Sequence, residues 1–430
     1  MKRNSLYFVR YLVFLFLLLS FPTGISGMTA NLVLQQNPAV DYAEYKGKVV
    51  NSQTGEPLVS AYLAVENSNI STVTNSEGKF SLKIPERLGN VNITISHLGF
   101  QSKSLSLGDF KKGEVVIALN ETVEELSEVS LFTYTDARAL VRNMLKNRGS
   151  NYLNDRSEMT AFYRETIKRG RKNVSLSEAV VTIHKEAYDS NADDNIALVK
   201  ARKTADYDRL DTLALKLRGG PYNPLSIDIM KNPTNIFNEY DLTNFKFDFD
   251  KPTKINNQYL YVVNFEELRR DIPWYYGKLY IDATTFTLVK ASFDLNVDNR
   301  SAATQLFVKK KPGGTRVYPV EVHYVIQYRE RDGRWYFGYA DTQLEFVVKW
   351  RRRLFNSHYK VNSELAVTDW EINPGGRVKK DSTFMDPRIV MTDDISGFAD
   401  ISFWGENNII EPDKSIENAI EKIRKNLKNN

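Results

Sequence analysis

Val317-Tyr318-Pro319-Val320-Glu321-Val322-His323-Tyr324-Val325-Ile326-Gln327-Tyr328-Arg329 alternates at strand period, and its reading decides the fold. Tyr318, Val320, Val322, Tyr324, Ile326 and Tyr328 fall on one side, with Glu321, His323, Gln327 and Arg329 on the other, as in a strand with one face buried and one wet. Just beyond, Asp332-Gly333 is a strong two-residue hairpin signal. Thr342, Leu344, Phe346, Val348 and Trp350 then alternate with Gln343, Glu345, Lys349 and Arg351, so the return strand repeats the pattern. Working outward, aromatic and β-branched residues recur at this period from Tyr259 to Phe355, an antiparallel meander. The apolar face of so wide a sheet must lie against a second sheet, a helix or a bound hydrophobic molecule.

At 430 residues the chain is long enough for two or three domains. Lys2, Arg3 and Arg10, the apolar run Tyr11 to Phe21, and Pro22 to Gly27 follow the order of a secretory leader, predicted over residues 1–27. Cysteine is absent, which excludes disulfides and a lipid-modified N-terminal cysteine, so an exported chain of this kind rests on its core. Three positive charges of the formal +5 lie in the leader, which has no acid, leaving +2 on the remainder. That is not the concentrated basic surface that binds phosphate backbones, so no nucleic-acid partner is expected. No later segment reads as a transmembrane span, so the mature chain is expected to be soluble or peripherally attached.

Residues 28–44 read as a flexible polar leader. From Tyr45, short strands are predicted at Lys46 to Val50, Ala61 to Val65, Ser71 to Thr74, Lys79 to Ile84, Val91 to Ser96 and Val115 to Leu119, a small β-sandwich. Its turns are specific: Thr54-Gly55-Glu56-Pro57-Leu58, where Gly takes positive φ and Pro presets the next φ, and Asn75-Ser76-Glu77-Gly78, an Asx-type turn into Lys79-Phe80. With Gly47-Lys48-Val49-Val50 and Ser96-His97-Leu98-Gly99-Phe100, these residues resemble the carboxypeptidase-regulatory-like domain over residues 45–125. That resemblance implies a transthyretin-like sandwich of the Gram-negative envelope, as in the N-terminal extension of SusC-like TonB-dependent receptors, and so an exported chain in the periplasm or at the periplasmic face of an outer membrane. It implies an accessory module with no catalytic residue to carry over.

Residues 126–430 are predicted as a large antiparallel, open barrel-like sheet domain with flanking helices near 135–148 and 413–427. Thr135 is the expected cap of the first, with Leu140, Val141, Met144 and Leu145 on one face; the second carries the stripe Ile416, Ile420, Ile423 and Leu427. Another helix is expected at residues 209–217, and beyond Asn356 the strand pattern loosens. The phrase Gly277-Lys278-Leu279-Tyr280-Ile281-Asp282-Ala283-Thr284-Thr285, followed by Leu288-Val289-Lys290-Ala291, is similar to the LolA and LolB type of lipoprotein-sorting fold over about residues 135–350. That resemblance implies an open curved sheet that holds acyl chains, and assigns no particular binding residue.

Catalytic signals are missing. His97, His184, His323 and His358 stand at no metal-ligand spacing, and neither a Gly-x-Ser-x-Gly elbow nor a phosphate-cradling glycine loop occurs. Asp193-Asp194 and Asp393-Asp394 read as solvated loop acids, and Lys309-Lys310-Lys311 as a wet hairpin tip. No catalytic residue, metal or cofactor is predicted. The candidate ligand wall is Tyr318, Tyr324, Tyr328, Phe346 and Trp350, either a groove for a lipid or other apolar ligand or a closed core covered by the flanking helices. Three readings follow, in order: an apolar-ligand carrier; a protein-interaction module beside an outer-membrane or TonB-associated partner; and an unrecognised hydrolase.

Overall fold

The Asp332-Gly333 turn joins two seventeen-residue strands, β15 (Thr315–Arg331) and β16 (Arg334–Trp350). Both turn residues have positive φ, 52° and 76°, as a two-residue hairpin connection matching the twist of its strands requires. The computed structural model describes residues 41–429 apart from 111–113, 123–132, 171, 206–219, 238–241, 256–257, 270–271, 309–312, 352–353, 374, 377, 379 and 387–395. The predicted leader, the helix at 209–217, Lys309-Lys310-Lys311 and Asp393-Asp394 lie outside the described residues.

Seven strands build the small sandwich: β1 (Tyr42–Asn51), β2 (Tyr62–Val65), β3 (Ser71–Val73), β4 (Lys79–Pro85), β5 (Asn92–Ser96), β6 (Lys103–Ser106) and β7 (Val115–Leu119). They form a three-stranded sheet, β4-β1-β7, and a four-stranded one, β3-β2-β5-β6. Val49, Leu63, Phe80, Leu82, Ile93, Ile95 and Ile117 are the buried centre between them. Strand β6, Lys-Ser-Leu-Ser, was not anticipated, because a half-exposed edge strand with one apolar residue carries no alternation to read.

The remaining strands are β8 (Ser157–Arg169), β9 (Lys172–Lys185), β10 (Asn195–Ala205), β11 (Phe245–Ile255), β12 (Gln258–Glu267), β13 (Tyr275–Asp282), β14 (Leu288–Leu295), β15, β16 and β17 (Ser357–Ile372). They form one antiparallel sheet of ten strands, ordered β10-β9-β8-β17-β16-β15-β14-β13-β12-β11, which does not close into a barrel. The loosening expected beyond Asn356 is therefore corrected: β17 is a sixteen-residue central strand between β16 and β8. Its period was obscured by Ser363 among the core-facing residues and by a bulge near Thr368.

Helix α1 (Ala137–Lys146) lays Leu140, Val141, Met144 and Leu145 on the sheet's core face. Its cap is Asp136, not Thr135: the Asp136 carboxylate accepts from the N–H groups of Arg138 and Ala139 at 2.9 and 3.3 Å. The core face is also flanked by α2 (Arg148–Asn151), α3 (Tyr222–Ser226) and α4 (Arg300–Phe307). Helix α5 (Lys414–Asn429) is capped by Asp413, whose carboxylate accepts from Ile416 N–H at 2.9 Å. Its apolar stripe packs on Leu176 and Phe398, on the opposite face of the sheet from α1.

That opposite face is not simply wet, as the alternation implied. Tyr62 and Val73 of the sandwich, with Trp404 and Ile410, cover Phe162, Val180, Tyr339 and Ala366 of the sheet. Asn69 Nδ2 donates to the Trp370 carbonyl at 2.6 Å, Ser71 Oγ to Val367 O at 3.2 Å, and Asn75 Nδ2 to Glu411 O at 3.0 Å. Sandwich and sheet belong to one compact unit, Asp41–Asn430. Beneath this cover, Glu178 is fully buried between Arg164 and Arg202, accepting at 2.8 and 2.7 Å; Arg202 lies 4.5 Å from the Phe398 ring and 5.0 Å from that of Trp404.

Candidate ligand-binding site

Strand register sets one row of side chains straight across the core face. Glu165 on β8 stands opposite Ser363 on β17, which faces Thr342 on β16, then Tyr324 on β15, Phe293 on β14, Gly277 on β13 and Phe265 on β12. One half of the row is polar and the other aromatic. Phe293 stacks on Tyr324 with centroids 5.1 Å apart and meets Phe265 at 6.1 Å. Gly277 makes that closure possible, because a Cβ there would sit 2.4 Å from the Phe293 Cα.

Where the polar and aromatic halves meet, a cavity of about 310 Å³ opens between the sheet and the helices beside it. Tyr275, Tyr324, Leu344 and Val361 line it from the sheet, Ile227 and Ile236 from the crossing segment, and Leu306 and Phe307 from α4. Helix α4 exists because Asn299 accepts from Ala302 N–H at 3.2 Å; its last residue, Phe307, then packs edge-on against Phe346 at 6.1 Å.

The cavity's polar groups, Glu165, Asn223, Ser226, Asn235, Thr342 and Ser363 beside the two tyrosines, are only partly satisfied. Thr342 Oγ1 and Ser363 Oγ are buried without a hydrogen-bond partner in the structure. Glu165 accepts at Oε2 from the Tyr163 hydroxyl at 3.1 Å, and burial holds its carboxyl above the usual carboxylate range. Burial likewise pushes the Tyr275 phenol up to about 12. An apolar wall with a few convergent polar groups, at a volume of this order, is the ordinary make-up of a small-molecule site. No histidine, lysine or cysteine lines it, and Ser363 does not hydrogen-bond to Glu165.

Of the residues singled out from sequence, Tyr324 lines the cavity. Phe346 is fully buried behind Phe307, and Trp350 packs half-buried on the same core cluster. Tyr328 shares the face but is sealed elsewhere, donating to Asp228 Oδ1 at 2.9 Å. Tyr318 goes to the other face, where Arg300 lies 4.5 Å from its ring. The physical reason is a β-bulge between Pro319 and Glu321: Val320 is the extra residue, so parity reverses and Val317 and Pro319 are the buried ones. Asp194, read as solvated, is also corrected: it accepts from the fully buried Lys185 ammonium, which donates to Asp228 Oδ2 at 2.7 Å as well. The sequence reading missed Glu165, Thr342 and Ser363 as site residues. Their signal was a polar side chain at a core-facing step of a strand.

Residues 45–131 match the model of the CarboxypepD_reg-like domain family. No curated protein matches the chain. Among solved structures, a domain named for outer-membrane lipoprotein sorting, from Vibrio parahaemolyticus, is similar at 12% identity and TM-score 0.26, over 56% of this chain and 95% of that one. A LolA superfamily protein from Nitrosomonas europaea is similar at 9% identity and TM-score 0.20, over 56% and 94%. The MucA/MucB complex of Pseudomonas aeruginosa gives 12% identity and TM-score 0.18, over 55% and 99%. Among the described residues, no helix is long and apolar enough to cross a membrane, and no group of three or more His, Asp or Glu is placed to hold a metal ion.

Proposed function

We propose that this chain is an exported, non-enzymatic envelope protein that holds the apolar part of a lipid or acyl ligand in the cavity on the core face of its large sheet. The observation that carries the reading is the cavity on the cross-strand row, where an aromatic wall gives way to two unpartnered hydroxyls and a buried carboxyl. An apolar tail would lie along Tyr324, Leu344 and Phe307, and a headgroup hydroxyl or carboxyl would meet Thr342, Ser363 and Glu165. About ten water volumes fit in such a space, so it takes a chain segment or a small amphiphile rather than a whole phospholipid. The sequence of the first 27 residues and the CarboxypepD_reg-like match support export. The hydrogen bonds between sandwich and sheet favour a brace over a free docking module for the small sandwich.

The test is titration with cis-parinaric acid, followed by its fluorescence. Saturable binding is expected, weakened at least about tenfold by Thr342→Phe, which grows a ring into the cavity, with the circular dichroism of the variant unchanged. Absence of saturable binding to the unmodified chain, or equal binding by a folded Thr342→Phe variant, would refute the reading.

A further inference from the structure

A second cavity, of about 320 Å³, lies on the other face of the sheet, beneath the sandwich turns at Val59 and Asn75-Ser76 and the start of α5. Its floor is a polar ladder across the central strands: Asp341 stands directly opposite Glu364, Gln343 opposite Asn362, and Glu345 opposite Lys360. Like charges directly opposed in an antiparallel pair destabilise a sheet, so the Asp341–Glu364 pairing calls for a compensating group.

The protein's own cations supply it to one side only: the charges of Arg164 and Lys168 act on Glu364, and none acts on Asp341. Arg164, which faces Glu364 from β8, is committed to Glu178 and donates to the Ile410 carbonyl at 2.9 Å. Lys360 pairs with Glu345 at 3.2 Å. Lys168, from β8, completes the basic lining, against five acidic residues: Glu321, Asp341, Glu345, Glu364 and Asp413. Tyr339 donates to Glu364 Oε1 at 3.1 Å and Gln343 to Asp341 Oδ2 at 2.7 Å. Asp341 is 7% exposed, yet its Oδ1 has no hydrogen-bond partner, and neither has Asn362 Oδ1. With Asp341 ionised, both orphan atoms are acceptors on residues lining one cavity, so the missing partner of the ionised site is a donor.

We propose that this cavity binds an organic cation, an alkylammonium or guanidinium group, whose N–H donors reach Asp341 Oδ1 and Asn362 Oδ1 and whose charge faces the Asp341–Glu364 pair. An inorganic metal ion fits less well, since no set of three or more His, Asp or Glu ligands converges among the described residues. Burial and the neighbouring Glu364 charge push the Asp341 carboxyl up to about 8. Burial raises Glu364 as well, so below that value the acid pair as a whole holds a proton in place of the cation, and binding the cation releases it. Glu321, Glu345, Lys360, Arg164, Lys168 and Asp413 face the same space, and no histidine lines it.

The experiment is calorimetric titration of the whole chain with agmatine, which carries both cationic groups, against sodium chloride at matched ionic strength. Affinity is expected to rise about fiftyfold from pH 6 to pH 8 and then level off, with one proton released per site below pH 8. Asp341→Asn should weaken binding at pH 8 at least tenfold and move the pH dependence to lower pH, since the Glu364 carboxyl, also raised by burial, remains. Asn362→Leu, which leaves the acid pair in place, should weaken it less and keep the pH dependence. No binding at pH 8.5, equal binding by Asp341→Asn, or a heat reproduced by sodium chloride would each overturn the proposal. Parinaric acid binding on the opposite face should be unchanged in both variants, which keeps this outcome separate from that of the lipid reading.

Discussion

Replacing Asp341 with Asn should make the protein more stable at neutral pH and leave it nearly unchanged in acid. Asp341 is 7% exposed, and its carboxyl rises from an ordinary 3.8 to about 8 because it is buried beside Glu364. An acid raised on folding contributes fully only below its unfolded value; its contribution is lost as pH climbs from 3.8 to about 8. At pH 7 that loss is a few kcal/mol in order of magnitude, at about 1.36 kcal/mol per pH unit, and it belongs to the acid pair, since burial raises Glu364 as well. The amide has the same shape and no such cost, and its Nδ2 can donate across the ladder to Glu364. Fitting those extra N–H groups offsets about 1 kcal/mol, the size of one hydrogen bond. The expected gain is about 2–4 kcal/mol at pH 7, falling at pH 4 to within about 1 kcal/mol of zero, where only the offset remains. Urea unfolding followed by tryptophan fluorescence at pH 4, 5.5, 7 and 8.5 would measure it. A destabilised variant at pH 7, or a difference that does not vary with pH, would refute the linkage.

Three further outcomes are expected. Glu178→Gln strands the buried Arg164 and Arg202 guanidiniums and should cost about 3–5 kcal/mol of unfolding free energy; a loss below about 1 kcal/mol would show that water reaches them. His97 is lowered to about 4 by burial and by the charges of Lys290 and Arg329, so it contributes stability above 6.5 that disappears as pH falls to about 4, up to about 3 kcal/mol. His97→Gln should flatten that limb of a pH–stability curve, and an unaltered slope would assign the acid lability elsewhere. Asp136→Ala removes an acceptor for two N–H groups at the start of α1 and should cost about 1 kcal/mol, read from the urea midpoint at constant slope.

The hairpin of β15 and β16, the sandwich turns and the stripe of α5 were legible because each depends on local spacing: a two-residue turn, an Asx turn, a 3.6-residue period. What escaped depends on register. A single extra residue at Val320 sends Tyr318 to the wrong face, and nothing in an alternating sequence announces a bulge. The cavity draws its wall from β15, β16, β17, α4 and the segment around Ile227, far apart in sequence and joined only by strand pairing. Thr342 sat in plain view on the apolar side of its strand, and its hydroxyl becomes informative only once Ser363 and Glu165 are known to stand beside it. The second covered face was similarly hidden: Phe162, Val180 and Tyr339 are out of phase with the core-facing set, and their partners come from the sandwich and the segment near Trp404.

The buried charges give a physical reason to read the outer cavity as a site and not as a packing fault. Arg164, Glu178 and Arg202 form a closed group, with both carboxylate oxygens taken and Arg202 stacked on rings. Lys185 is likewise shared between Asp194 and Asp228, whose other oxygen accepts from Tyr328. Each joins opposite charges drawn from separate segments, and each has hydrogen bonds that help offset the cost of burial. The Asp341–Glu364 pair differs in three ways at once: both its members are acids, one of its oxygens is unpartnered, and it borders open volume. Asn or Gln at either position would keep the shape and relieve the repulsion, so the native acids sacrifice stability at neutral pH. A binding site pays that cost because a group that repels its neighbour when empty attracts a cation when filled. The stability gain and the binding loss expected of Asp341→Asn are thus two readings of one charge, and finding the gain without the loss would leave the pair unexplained.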